Sequence, residues 1–172
     1  MSVRRAVTGD EAIVRVLRLQ ALADAPGAFD STLEFEAAMM PEDWSRRIAS
    51  GATFLFEQAD GPKGLVAGVP YVGEPGAVLL ISMWLEPAMR GTGAADALVA
   101  AVLAWARGQR AREVVLHVGK QNGRARSFYR KMGFRDSGHE FVSERTGIEE
   151  VEMRFPLRVE TKALDGGDGD SA

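Results

Sequence analysis

Apolar and polar residues occur in blocks along the chain, and the block at its centre predicts the elements around which the fold is built. The run from Val78 to Leu85 is apolar almost throughout, which predicts a buried strand that Pro87 ends. The segment from Ala94 to Arg107 is rich in Ala, Leu and Val and has no internal Gly or Pro, which predicts a helix. Gly91 and Gly93 lie in the turn between the two. We therefore expect a central unit of strand, glycine turn and helix.

The same patterns predict the other elements. An amphipathic segment after Asp10 predicts a first helix that ends near Pro26, and Pro41 opens a second helix that runs to Ser50. Residues 28–40 mix apolar and acidic residues without a clean period. A short helix is expected at Arg124–Met132, and strands are expected at Val3–Val7, Thr53–Gln58, Leu65–Val72, Glu113–Val118, Phe134–Val142 and Glu150–Leu157.

The order of these elements indicates the fold class. It reads β, α, α, β, β, β, α, β, α, β, β, which is typical of one mixed α/β domain with an antiparallel first half. A strand–helix–strand crossover follows at the centre. We place the domain at residues 1–158. Residues 159–172 are rich in Gly and Asp and have no apolar periodicity, so we expect them to form a disordered tail.

Composition narrows the classes of function. The 172 residues carry a formal net charge of −3, which argues against a general nucleic-acid-binding protein. Cysteine is absent, which excludes disulfides, thiolate metal sites and a cysteine nucleophile. The sequence has neither an apolar run of about 18 residues nor a signal-peptide core at its start. We expect a cytoplasmic protein that does not act at a membrane.

The glycine turn predicts an anion site. Unpaired N–H groups point out of the first turn of a helix, and glycines let a ligand approach the main chain closely. No lysine follows the glycines, as a P-loop would require, and Asp96 stands where the dinucleotide fingerprint needs a small residue. We therefore predict that this turn binds a pyrophosphate of another kind of cofactor.

Two motifs together resemble those of the GCN5-related N-acetyltransferase (GNAT) superfamily. The first is R-x-x-G-x-A, directly after a strand that ends M-W-L-E-P. The second is N-x-x-A-x-x-F-Y-x-K-x-G-F, about 30 residues later, after the next strand. The residues that carry them are Arg90, Gly93 and Ala95, and then Asn122, Ala125, Phe128, Tyr129, Lys131, Gly133 and Phe134. The resemblance covers about residues 2–157, and the predicted order of elements agrees with it.

The resemblance implies a fold and a cofactor. It implies a mixed sheet of about seven strands, splayed at the cofactor site and flanked by about four helices, which takes acetyl-CoA as co-substrate without a metal. The backbone of the central strand would hydrogen-bond the pantetheine arm, and the glycine turn would bind the pyrophosphate. Asn122 would hydrogen-bond the pantetheine or its amide. Lys131 would reach the 3′-phosphate or only face solvent. The implied cofactor-binding residues are Met83, Trp84, Leu85, Arg90, Gly91, Thr92, Gly93, Ala94, Ala95, Asn122, Tyr129 and Lys131.

The implied reaction assigns catalytic roles. An amine can attack a thioester directly in a ternary complex, so no enzyme nucleophile is needed. Tyr129 would protonate the leaving thiolate, because the pKa of a tyrosine (about 10) is close to that of a thiol (about 8.5). Many relatives carry a glutamate on the central strand, but here that strand has no acid. Glu34 or Glu36 is the predicted base, because their segment usually lines the acceptor side; His117 and a water relay are alternatives.

The sequence thus predicts an N-acetyltransferase that acts on a primary amine of a small molecule or a peptide. Acidic residues in the expected acceptor segment hint at a cationic acceptor: Asp30, Glu34, Glu36, Glu42 and Asp43. The alternative function is a non-catalytic acyl-CoA sensor, which the missing strand glutamate would favour. By resemblance alone, the protein could form a homodimer.

Overall fold

The computed structural model describes residues 2–157, and the predicted tail lies outside this range. The α-helices are α1 (Glu11–Asp24), α2 (Leu33–Ala37), α3 (Pro41–Ala49), α4 (Ala94–Gly108) and α5 (Gly123–Lys131). The strands are β1 (Ser2–Arg5), β2 (Ala52–Gln58), β3 (Gly61–Pro70), β4 (Ala77–Leu85), β5 (Glu113–Gly119), β6 (Arg135–Val142) and β7 (Glu149–Pro156). Single turns of 3-10 helix lie at Pro26–Ala28 and Pro87–Met89.

All seven strands form one mixed sheet, which confirms the predicted α/β class. Their order is β1-β2-β3-β4-β5-β7-β6. Only β4 and β5 are parallel, and α4 connects them; every other neighbouring pair is antiparallel. No helix of the described residues is long and apolar enough to cross a membrane.

Two apolar cores cover the two faces of the sheet. On one face, α4 packs Leu98, Val99 and Val102 against the central strands, and Tyr129 of α5 joins the same cluster. On the other face, α1 and α3 enclose a smaller core around Trp44. The helices therefore lie on opposite sides of β4, so this strand is covered on both faces.

The sheet opens at its centre. Strands β4 and β5 pair only where Ala77–Leu79 lies beside Glu113–Val115, and from Leu80 onward β4 has a partner only in β3. This is the splay that the sequence resemblance implied. Because the two strands separate, the backbone N–H and C=O groups of β4 that face the opening have no partner strand to hydrogen-bond with.

A β-bulge lies beside this opening. The register between β3 and β4 shifts between Leu65 and Ala67, and Ser82, on the β4 side, has a φ of 59°. Before the bulge, Val78 and Leu80 face the α4 core; after it, Trp84 belongs to the opposite core. The extra residue therefore reverses the alternation of β4 and turns its last residues relative to the opening.

Candidate active site

The glycine turn forms an open cradle at the start of α4. Gly91 and Gly93 have φ angles of 81° and 88°, a region that residues with a Cβ rarely adopt. A Cβ at either position would meet nothing within 4 Å, so the space in front of the main chain is free. Among the described residues, the N–H groups from Gly91 to Ala95 donate no hydrogen bond. Such an array of free donors at a helix N-terminus fits the pyrophosphate of a nucleotide cofactor.

Arg90 is engaged within the fold through both its side chain and its N–H group. Its Nε donates to the carbonyl of Leu85 at 3.2 Å, and its guanidinium bonds to Asp24 at the end of α1. Asp24 also accepts from Nε1 of Trp84 at 2.9 Å. The side chains of Arg90 and Trp84 thus tie β4 and the turn to α1, and the N–H of Arg90 bonds to Pro87 at 3.2 Å. Since the side chain of Trp84 is engaged in this way, only its backbone groups are available to bind a cofactor.

Tyr129 lies in the apolar core next to the opening. Its ring contacts Phe128 and Phe134, with centroid distances of 5.2 and 5.6 Å. Within the described chain its hydroxyl has no hydrogen-bond partner, and burial raises the pKa of Tyr129 above its ordinary value. The phenol is therefore protonated at neutral pH, but the wider gap between its pKa and that of a thiol makes it a weaker proton donor than an ordinary tyrosine.

The other two predicted contacts of the second motif lie at the ends of α5. Oδ1 of Asn122 accepts from the N–H of Ala125 at 3.1 Å, so Asn122 caps the helix. Its amide N–H₂ remains available to a ligand. Lys131 is exposed at the last residue of α5.

A cavity of about 740 Å³ lies on the other face of the opening. It is assembled from distant parts of the chain: α1, the segment that contains α2, α3, the middle of β4, and the strands β5 to β7. Its polar and charged lining includes Arg18, Glu36, Arg47, His117 and Glu150. We call this space the acceptor cavity, because it adjoins the opening between β4 and β5.

The two predicted bases have different surroundings. Glu36 is only 1% exposed; its carboxylate accepts three hydrogen bonds from Arg18, two from Nε and one from Nη2, and one from Nη1 of Arg47, at 2.8–3.1 Å. Burial alone would raise its pKa, but the two guanidinium groups outweigh it and lower the pKa. Glu34 is exposed and lines a separate depression beside Arg145. Neither geometry favours proton abstraction.

His117 faces the acceptor cavity rather than the α4 core. Its Nε2 lies 3.3 Å from the hydroxyl of Tyr71 and 3.7 Å from a carboxylate oxygen of Glu152. Burial lowers the pKa of His117, and the nearby Glu152 only partly offsets this effect. The imidazole is therefore neutral near pH 7 and can accept a proton.

Glu150 is a candidate base that the sequence did not reveal. It is half-buried on β7, lines the cavity, and forms no hydrogen bond with its carboxylate in the described residues. Burial raises its pKa, and the neighbouring Asp30 adds to the effect. Register places Glu150 opposite Gly119, two residues along β5 from His117 and on the same face. Strand alternation groups Glu150 with Glu152, but only the folded sheet shows that Glu150 lines the cavity.

Comparison with known proteins identifies the family. The sequence model of the Acetyltransferase (GNAT) family matches residues 19–134, more than half of the chain. The chain belongs to this family.

Individual relatives agree with this membership. The chain is 37% identical over 98 residues to N-acetyltransferase family 8 member 2 of Rattus norvegicus, which covers 55% of this chain and 43% of that protein. It is 44% identical over 66 residues to an uncharacterized N-acetyltransferase of Mycobacterium tuberculosis, covering 38% of this chain and 42% of that protein. The chain thus spans about half or less of the length of these relatives.

Solved structures share the fold. The structure of yncA from Salmonella typhimurium, with its cofactor acetyl-CoA, matches with a TM-score of 0.75 at 17% identity and covers 92% of this chain and 95% of that one. An acetyltransferase of the GNAT family from Streptococcus pneumoniae matches with a TM-score of 0.76 at 18% identity, covering 91% and 99%. These likenesses confirm the predicted fold.

Proposed function

We propose that this GNAT protein transfers the acetyl group of acetyl-CoA to a primary amine by direct attack in a ternary complex. The observation that carries the proposal is the unpaired edge of β4 beyond Leu79. It offers free backbone groups to an extended pantetheine arm, with the cradle of free N–H groups on one side and the acceptor cavity on the other. Met83 and Leu85 lie on this edge segment, beyond the bulge at Ser82.

The side chains around the opening supply the two proton transfers that the reaction needs. The incoming amine must lose a proton, and Glu150 accepts it, directly or through His117, because both line the cavity and are able bases near neutral pH. The departing thiolate must gain a proton, and the buried, protonated Tyr129 supplies it. An N–H of β4 near Met83 stabilises the negative charge that develops on the acetyl oxygen.

Several contacts remain proposals from the family motif. The N–H groups of Gly91, Thr92, Gly93, Ala94 and Ala95 bind the pyrophosphate. The free amide of Asn122 bonds the pantetheine arm, and the exposed ammonium of Lys131 reaches the 3′-phosphate. Arg90 acts by anchoring the turn to Asp24 rather than by contacting the cofactor with its side chain.

Release of coenzyme A thiol tests the function. The protein is incubated with acetyl-CoA and a panel of amines, and thiol release is measured together with acetyl-CoA affinity by calorimetry. We expect amine-dependent release, which Tyr129→Phe slows without weakening binding. Binding of acetyl-CoA with no turnover on any amine would instead indicate an acyl-CoA sensor, and absence of binding would contradict both functions.

A further inference from the structure

Most of the acidic residues that hinted at a cationic acceptor are engaged within the fold rather than arranged around a cation. Asp30 accepts from the hydroxyl of Ser143, and Asp43 caps α3 at the N–H of Met40 and pairs with Arg46. Each therefore has a partner within the fold. Of the others, Glu36 is held by two arginines, Glu34 lines another depression, and Glu42 is exposed outside the cavity lining.

One part of the cavity instead carries an excess of positive charge. Arg18 and Arg47 both line it, and the single carboxylate of Glu36 lies between them. These two guanidinium groups and one carboxylate leave a local net charge of one positive unit, while the lining elsewhere carries Arg145 and the carboxylates of Asp30, Glu144 and Glu150. The side chain of Arg18 is almost fully buried and that of Arg47 is 27% exposed, so an anionic group of a ligand can reach Arg47 and complete this arrangement.

Free donors accompany this charge. Arg47 donates one hydrogen bond, from Nη1 to Glu36 at 2.9 Å, and in the described chain its Nε and Nη2 have no acceptor. Nη1 of Arg18 is buried and has no hydrogen-bond partner among the same residues. The Arg18 guanidinium lies 4.6 Å from the ring centroid of Phe29, which lines the same cavity. Arg47, the more exposed of the two, is the group that a ligand meets first.

The opposite part of the cavity has the complementary character. Glu150 and His117, on β7 and β5, are the groups proposed to receive the proton of the amine. The cavity therefore presents a cationic region on α1 and α3 and a proton-accepting region on β5 and β7. A molecule that carries both an amine and a carboxylate matches both regions at once.

From this arrangement we propose that the acceptor is an amino acid or a related amine that carries a carboxylate, and that Arg47 binds this carboxylate while Glu36 and Arg18 hold Arg47 in place. The inference rests on the proposed acetyl transfer and names its substrate class. Arg47 is accordingly a specificity-determining residue. The guanidinium–carboxylate pair would be charge-assisted and can be bidentate, which also orients the amine toward the opening.

The first experiment compares matched acceptors. Thiol release is measured with phenylalanine, phenylalaninamide and phenethylamine, and with 6-aminohexanoate and hexylamine. We expect kcat/KM to be at least about tenfold higher for a carboxylate-bearing acceptor than for its neutral counterparts in one or both series. Equal or better turnover of the amines without a carboxylate would overturn the inference and leave acetyl transfer itself established. No turnover of any amine would overturn the proposed function as well.

Variants at two positions of the same helix then assign the effect. Arg47→Gln is expected to raise KM for the preferred carboxylate acceptor at least about tenfold, with little change in kcat and no change for the matched neutral amine. Arg47→Lys keeps the charge and should recover part of the loss. Arg46→Gln is the control, because Arg46 is exposed and does not line the acceptor cavity. Equal losses for charged and neutral acceptors in Arg47→Gln would show a merely structural role and contradict the assignment.

Discussion

The two sides of the opening between β4 and β5 are built in opposite ways. On the cofactor side, a single stretch from Gly91 to Ala95 presents main-chain N–H groups, and no side-chain charge is needed. On the acceptor side, Arg18, Glu36 and Arg47 meet from three helices and present side-chain charges. The first side suits a ligand that is common to a whole family. The second can change its specificity by exchanging single side chains.

This difference decides where substitutions are costly. Backbone donors depend on conformation, so the cofactor side is sensitive to changes in φ and tolerant of most side chains. The acceptor side depends on a buried ionic network, in which each charge needs its partners. The predictions below use this contrast, beginning with the largest effect.

Loss of the buried arginine should have the largest effect on stability. Arg18→Met leaves Glu36, which is 1% exposed, with Arg47 as its one charged partner among the described residues. Removing one member of a buried ion pair costs about 3–5 kcal/mol, and denaturant unfolding should show a loss of that order. The exposed Arg46 provides the control, because Arg46→Met should change stability by less than about 0.5 kcal/mol. Equal effects of the two substitutions would contradict the network.

Removal of the proposed acid should affect catalysis alone. Tyr129→Phe deletes a hydroxyl that has no hydrogen-bond partner in the described chain, so folding should be unchanged. General acid catalysis contributes about 10²-fold or more, so kcat should fall by roughly that factor while acetyl-CoA affinity stays the same. The fall in kcat is measured from thiol release in stopped-flow or steady-state assays. Full activity across the pH range would rule out Tyr129 as the acid.

The contrast between the two sides also explains what could be predicted from the sequence. The cofactor side depends on two contiguous segments, residues 90–95 and the motif at Asn122–Phe134. Local sequence patterns were therefore enough to predict where the cofactor site lies and to which family the chain belongs. The predicted strands agree with the structure to within a few residues, except that β3 begins at Gly61 rather than Leu65. The central splay was implied by the resemblance and is confirmed by the short β4–β5 pairing.

The acceptor side could not be predicted in this way. Helix α2 has only five residues, too few to show a helical period, and Glu36 is buried within it because of arginines 18 and 11 residues away. Because these partners are distant in sequence, the residues around Glu36 show no pattern from which its burial could be predicted. Ser82 is the one polar residue in its strand, yet nothing in the sequence distinguishes a bulge there from an ordinary strand position.

The proposed base gives a prediction on pH. Activity requires ionised Glu150, and burial raises its pKa above the ordinary 4.5, so kcat should fall as pH decreases through a value above 4.5. Glu150→Gln should lower kcat about tenfold or more and remove that acid limb. Because the folded state disfavours the charged form, the substitution should not lower the melting temperature at pH 7. An unchanged pH profile would contradict Glu150 as the general base and indicate that His117 or water accepts the proton instead.

The smallest expected effect tests the main-chain cradle. Gly93→Ala places a Cβ in free space, and its φ of 88° costs a residue with a side chain about 1–2 kcal/mol of stability. Affinity for coenzyme A should fall as well, because the strained turn no longer aligns its N–H groups. Gly108→Ala, at the other end of α4 and also in open space, should leave both quantities nearly unchanged. Similar losses for both variants would show that the turn has no special role.

Backbone amide NMR of the isotope-labelled protein, titrated with coenzyme A, tests the central claim most directly. The claim is that the free N–H groups after β4 and the unpaired edge of β4 bind the cofactor together. The account predicts that the largest shift changes fall on the amides of Gly91–Ala95 and of the segment from Leu80 to Leu85. Saturating coenzyme A that leaves both sets of amides unmoved would contradict it.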